Sequence, residues 1–140
     1  MKTVNQFING KEHISKSERF GDVFNPANGE ITKKVSFANN DDVKLAIDCA
    51  VEAGKKWAAT PPLTRSRVFF RFKDLILRDM DKLALELTSE HGKILSDSAG
   101  SITRGMEVVE FACGIPHLLK GEYSENVGTD IDSWSMRQPL

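Results

Sequence analysis

A chain of 140 residues, 40% hydrophobic and 28% charged, has the composition of one globular domain. Its 19 basic and 20 acidic residues nearly cancel, so no cationic excess awaits nucleic-acid phosphates; no uncharged apolar run nears the ~18 residues of a membrane span. Cys49 and Cys113 form neither a disulfide framework nor a metal-ligand pattern, and Met1-Lys2-Thr3-Val4-Asn5-Gln6 lacks the apolar core of a secretory signal, so a reducing, cytoplasmic location is expected.

Asn9-Gly10, between Phe7-Ile8 and Lys11-Glu12-His13-Ile14, tolerates positive φ at both centres of a type I′ turn and predicts a hairpin. Phe20 to Phe24 alternates, Asn25-Pro26-Ala27-Asn28-Gly29-Glu30 holds two turn signals in a row, and Ile31 to Phe37 resumes the extended pattern, which predicts a second hairpin. From Asn40 the apolar period changes from two to about 3.6, with Val43, Ile47, Ala50 and Trp57 on one stripe. Asn40 is the expected cap, and Asp41 and Asp42 suit the positive end of the helix dipole.

Pro61-Pro62 ends that helix, and Thr64 is expected to cap a second one bearing Val68, Phe69, Phe72, Leu75 and Ile76. Asp79-Met80-Asp81 interrupts the stripe, so a short third helix with Leu83 and Leu87 should follow and end at Gly92. A fourth should start near Ser96 to Ser98 and reach Gly114-Ile115-Pro116, its main stripe being Ile102, Met106, Val109 and Cys113. Arg104 and Phe111, seven apart, fall on the opposite side with Val108 at the flank, as in a helix with two partners. Val127 to Gln138 looks extended, with Asp130, Asp132, Trp134 and Met136 on one face; an exposed Trp134 and an unpaired edge suggest an assembly arm.

Taken in order, Phe7-Ile8-Asn9-Gly10, the turn Asn25 to Glu30, Glu90-His91-Gly92-Lys93, and Arg104-Gly105 leading into Val108-Val109-Glu110-Phe111-Ala112-Cys113-Gly114 resemble an aldehyde dehydrogenase N-terminus. The helix motif, then Gly121-Glu122 and the close Arg137-x-Pro139-Leu140, is similar to the methylmalonate-semialdehyde dehydrogenase branch, the coenzyme-A-acylating type. The resemblance implies an α+β fragment of that fold: N-terminal antiparallel strands, about four packed helices and a C-terminal extended oligomerisation arm. Residues 1–126 would form the strand-and-helix portion and 127–140 the assembly strand. The nicotinamide-binding body and catalytic domain would lie in further sequence.

It also implies an NAD-dependent oxidation in which a cysteine thiolate attacks the aldehyde and the acyl group passes to coenzyme A, with loss of carbon dioxide from methylmalonate semialdehyde. The family's nucleophilic cysteine, oxyanion site and base glutamate come after Leu140, so no catalytic residue, bound NAD or bound coenzyme A is expected here, and the chain alone should be inactive. Cys49 and Cys113 read as interior structural thiols. His13, His91 and His117 are too separated to argue a metal site or a base, and read as surface or helix-end residues, with His91 favourable near a helix C-terminus.

A semialdehyde that carries a carboxylate needs an orienting cation, and a guanidinium can supply two parallel hydrogen bonds. The family's arginine in this Arg-Gly context is implicated in that task, which points to Arg104. By position alone Arg104 reads rather as a surface residue paired with Glu107 or Glu110, helical arginines being mostly exposed, and it is the resemblance that turns the balance to substrate contact; Phe111 is either an apolar wall of the substrate site or core packing. Two function classes follow: part of a semialdehyde dehydrogenase, with succinate semialdehyde the alternative substrate, or a non-catalytic oligomerisation or interaction module; on either reading a homo-oligomer through residues 127–138 is expected.

Overall fold

The structure, a computed structural model, describes residues 2–138. Pro139 and Leu140 of the closing motif, and Met1, lie outside the described residues. The chain divides into two units, Met1–Thr60 with Met80–Ile102, and Pro61–Asp79 with Thr103–Leu140. It is an α+β arrangement, and its elements are built from local signals almost throughout.

The first unit opens with β1 (Lys2–Val4), β2 (Gln6–Ile8) and β3 (Lys11–His13). β2 and β3 form the expected hairpin, with φ of 54° at Asn9 and 75° at Gly10. β4 (Phe20–Phe24) and β5 (Ile31–Ser36) form the second, closed by Asn25, whose carbonyl accepts from Gly29 N at 2.8 Å and whose side chain accepts from Ala27 N at 2.9 Å. The sheet order is β1-β5-β4, and β1 runs parallel to β5 in the register Lys2↔Lys33 to Val4↔Val35. The expected antiparallel strands are present in both hairpins, and only β1 departs from them: a parallel partner must come from a distant segment, and no local turn announces it.

Helix α1 (Asn40–Ala59) is capped by Asn39, one residue before the expected Asn40. The Asn39 side chain accepts from Asp42 N at 3.0 Å and the Asp42 carboxylate from Asn39 N at 2.8 Å, a reciprocal capping box that only the Asn39–Asp42 spacing allows. The stripe Val43, Ile47, Ala50 and Trp57 is exposed, and the row turned inward is Asp42, Ala46 and Cys49. Helix α3 (Met80–His91) ends at Gly92, φ 82°, whose N–H returns to Thr88 O at 2.8 Å. Helix α4 (Leu95–Cys113) begins in this unit, where fully buried Ser98 meets Thr88 Oγ1 at 2.8 Å; Ala84, one turn before Thr88 on α3, is buried too. Lys33 on β5 reaches Glu90 on α3 at 2.7 Å.

In the second unit α2 (Pro62–Arg78) starts from Pro61, whose carbonyl accepts from Thr64 N at 2.9 Å, so Thr64 lies inside the first turn and does not cap it. Pro62 fits that turn because its missing N–H has no acceptor to lose there. Asp79 closes α2, as the interrupted stripe implied. The latter half of α4 is followed by a four-residue helix absent from the sequence-based expectation, α5 (Ile115–Leu118), carrying Pro116 in its first turn. The segment expected to be one extended strand from Val127 to Gln138 is instead half of a hairpin: β6 (Tyr123–Gly128) pairs antiparallel with β7 (Ile131–Trp134). The turn falls at Thr129-Asp130, and Asp130 takes φ 58° without a glycine to signal it.

Candidate functional site

Helix α4 carries two unlike faces in the second unit. Met106 and Val109 are half-buried and Cys113 buried, whereas Arg104 is exposed, with Val108 68% and Phe111 67% exposed on its side. Arg104 and Phe111 therefore share one open face, as their seven-residue spacing predicts, and Phe111 is not core packing in this chain. Cys113 leaves the helix about 180° from Arg104, nine positions at about 100° each, so its thiol points away from anything that Arg104 could hold.

Two bonds from α2 fix this end of α4. Buried Ser66 donates from Oγ to the Cys113 carbonyl at 2.8 Å, satisfying a last-turn carbonyl that the helix itself leaves unpaired. Lys73 Nζ pairs with Glu110 Oε1, and the lysine side chain is 24% exposed. The hydrogen bond and charge of Glu110 raise the Lys73 pKa above the ordinary lysine range. Cys113 lines an open hollow of about 390 Å³ with Leu63, Ser66, Phe70 and Lys73. Sequence reasoning missed Lys73, since its partner stands 37 residues away.

The first unit holds a different polar cluster. His13 Nε2 lies 2.7 Å from Asp42 Oδ1, and Ser15 Oγ donates to Asp42 Oδ2. His13 is thus half-buried and anchored, not the surface residue expected from its position. The hydrogen bond from Ser15, then those from Asn39 N and His13, hold the Asp42 carboxyl down at about 2. Serine and histidine both meet the carboxylate and not each other, so the serine has no base and the cluster serves as a capping anchor. His91 stands in the last turn of α3 and His117 in α5, both exposed, and no metal-binding group of three ligands occurs among the described residues. Cys49 is half-buried, on the inward row of α1.

Among the described residues no helix is long and apolar enough to cross a membrane. The family model for the aldehyde dehydrogenase family matches residues 13–140. A malonate-semialdehyde dehydrogenase of Pseudomonas aeruginosa is 45% identical over 140 residues, covering 100% of this chain and 28% of that relative. The mitochondrial acylating methylmalonate-semialdehyde dehydrogenase of Arabidopsis thaliana is 46% identical over 137 residues, covering 98% and 23% respectively. Among solved structures, a Sinorhizobium meliloti 1021 protein of the methylmalonate-semialdehyde dehydrogenase type, complexed with NAD, superposes with a TM-score of 0.95 at 45% identity, over 100% of this chain and 28% of its own. The methylmalonate-semialdehyde dehydrogenase of Oceanimonas doudoroffii gives 0.93 at 48% identity, covering 99% and 28%. The chain spans less than a third of the length of each.

Proposed function

Because this chain belongs to the aldehyde dehydrogenase family, we propose that it forms the N-terminal part of an NAD-dependent, coenzyme-A-acylating methylmalonate-semialdehyde dehydrogenase. The overall change would convert methylmalonate semialdehyde, coenzyme A and NAD to propanoyl-coenzyme A, carbon dioxide and NADH. In this reading Arg104 orients the substrate carboxylate through paired charge-assisted hydrogen bonds, and Phe111 walls the apolar part of the molecule. The observation that carries it is the open α4 face on which Arg104 and Phe111 stand together, opposite the buried row. The names of the Pseudomonas and Arabidopsis relatives, both acting on carboxylate-bearing semialdehydes, support the substrate class.

Neither thiol of the chain suits the nucleophilic role. Cys113 is buried on the side of α4 away from Arg104, and Cys49 packs half-buried on α1. The described residues contain no glycine-rich turn leading directly from a strand into a helix, so no step through NAD or coenzyme A is assigned to them. A cytoplasmic location and a homo-oligomer built through residues 127–138 belong to the same proposal. The exposed Val127, Ile131 and Trp134 of the hairpin support the latter.

One assay with two arms tests the reading. In the whole protein carrying this sequence, Arg104→Leu should raise KM for methylmalonate semialdehyde about tenfold or more, the order expected for a lost charged hydrogen bond, and leave that for propanal nearly unchanged. Equal effects on both aldehydes would remove Arg104 from substrate recognition. The 140-residue chain by itself should form no NADH above background.

A further inference from the structure

The ion pair between Lys73 on α2 and Glu110 on α4 is not used by the reading above, yet it sits beside the face that matters. Glu110 precedes Phe111 by one residue and follows Arg104 by six, roughly 9 Å along the helix axis. At about 100° per residue its carboxylate leaves α4 about 120° from Arg104, on the flank between the buried row and the open face.

Two physical consequences follow from that position. The Lys73–Glu110 pair and the Ser66–Cys113 bond hold α4 at two points less than one turn apart, so rotation of the helix about its axis works against both. An anion approaching Arg104 and Phe111 would also feel Glu110 at about one Debye length, ~8 Å at physiological salt, where repulsion is weakened but not abolished. Lys73 places the compensating charge directly on that carboxylate. Like any lysine it is cationic throughout the neutral range, and its bond to Glu110 favours the charged form further.

We propose that Lys73 is a positioning residue for substrate specificity: by holding and neutralising Glu110, it keeps the Arg104–Phe111 face correctly turned and receptive to a carboxylate-bearing aldehyde. This rests on the substrate-anchoring reading of α4. Lys73 touches no substrate and acts through Glu110.

The test uses the whole protein carrying this sequence, with methylmalonate semialdehyde and propanal as paired substrates. Lys73→Met should raise KM for the semialdehyde about fivefold, the equivalent of a partly exposed pair, and leave KM for propanal and both kcat values within about twofold. Lys73→Arg should restore the wild-type KM. Lys73→Glu alone should lose more than Lys73→Met, and Lys73→Glu combined with Glu110→Lys should recover most of that loss. If Lys73→Met is too unstable to assay, the arginine variant and the charge swap decide the matter. An unchanged ratio of the two KM values, or equal losses on both substrates, overturns the proposal. Arg104→Leu measured alongside separates the two levels: if it discriminates and Lys73→Met does not, only the positioning role falls. If neither discriminates, the α4 reading falls and takes this one with it.

Discussion

Asp42 shows how much one carboxylate can organise. It closes the capping box with Asn39, accepts from Ser15, and meets His13, so the end of the first hairpin and the first turn of α1 converge on it. Its folded pKa, about 2, lies below the ordinary aspartate value of 3.8, so the folded state binds the proton more weakly than the unfolded chain does. The stability it contributes is therefore fully present above pH ~4 and is lost as pH falls through about 2. Asp132 is shifted downward too, by the Asn126 N–H and the Tyr123 hydroxyl, so part of any acid loss belongs to the C-terminal hairpin. Asp42→Asn should lower the melting temperature at pH 7 and flatten its fall between pH 4 and 2 relative to wild type. Melting curves collected across that window check it, and parallel curves for the two proteins would show that Asp42 contributes nothing through its charge. This cluster was illegible in the sequence because His13 and Ser15 stand 29 and 27 residues from Asp42, and spacing arguments see only near neighbours.

At the scale of elements, local chemistry read well and distant pairing did not. Asn9-Gly10 and Asn25 to Glu30 mark their turns by residues that accept positive φ or make Asx bonds, so both hairpins were legible. Asp130 reaches φ 58° with only Thr129 beside it in the turn, so the expected arm from Val127 ran the end of β6 through the turn into β7. Gly92 was legible as a helix end, and its surroundings explain why glycine is needed there. Besides φ 82°, an added Cβ would lie 2.9 Å from Pro26 Cβ and 3.0 Å from Pro26 Cγ. Gly92→Ala should therefore cost about 1–3 kcal/mol, combining left-handed strain with a clash against a ring that cannot yield easily. Gly54, inside α1 with nothing within 4 Å of an added Cβ, is the matched contrast. Gly54→Ala should gain about 0.5–1 kcal/mol from helix propensity. Urea midpoints of the two variants should move in opposite directions, and a shared direction would contradict the backbone argument.

Large apolar side chains stand exposed in both units, Ile47 and Trp57 in the first and Val108, Phe111 and Trp134 in the second among them. Ala84 and Cys113 are the buried hydrophobic residues among those described, while both tryptophans, Trp57 at 42% and Trp134 at 68%, stay exposed. The stripes of α1 and the outer face of α4 were legible as amphipathic faces because periodicity survives whether or not a face is covered. What covers them was not legible, since periodicity names no partner; the same blindness hid Lys73 behind Arg104 and Phe111. Uncovered faces of this extent drive association in water. The isolated chain should sediment with an average mass that rises above the monomer as its concentration increases through the micromolar range. Trp134→Glu, which places a charge on the exposed face of the C-terminal hairpin beside Asp132, should weaken that rise without changing the helical circular dichroism. A monomer at every concentration would show that the exposed faces do not attract one another; association unaffected by Trp134→Glu would move the contact from the hairpin to the helices.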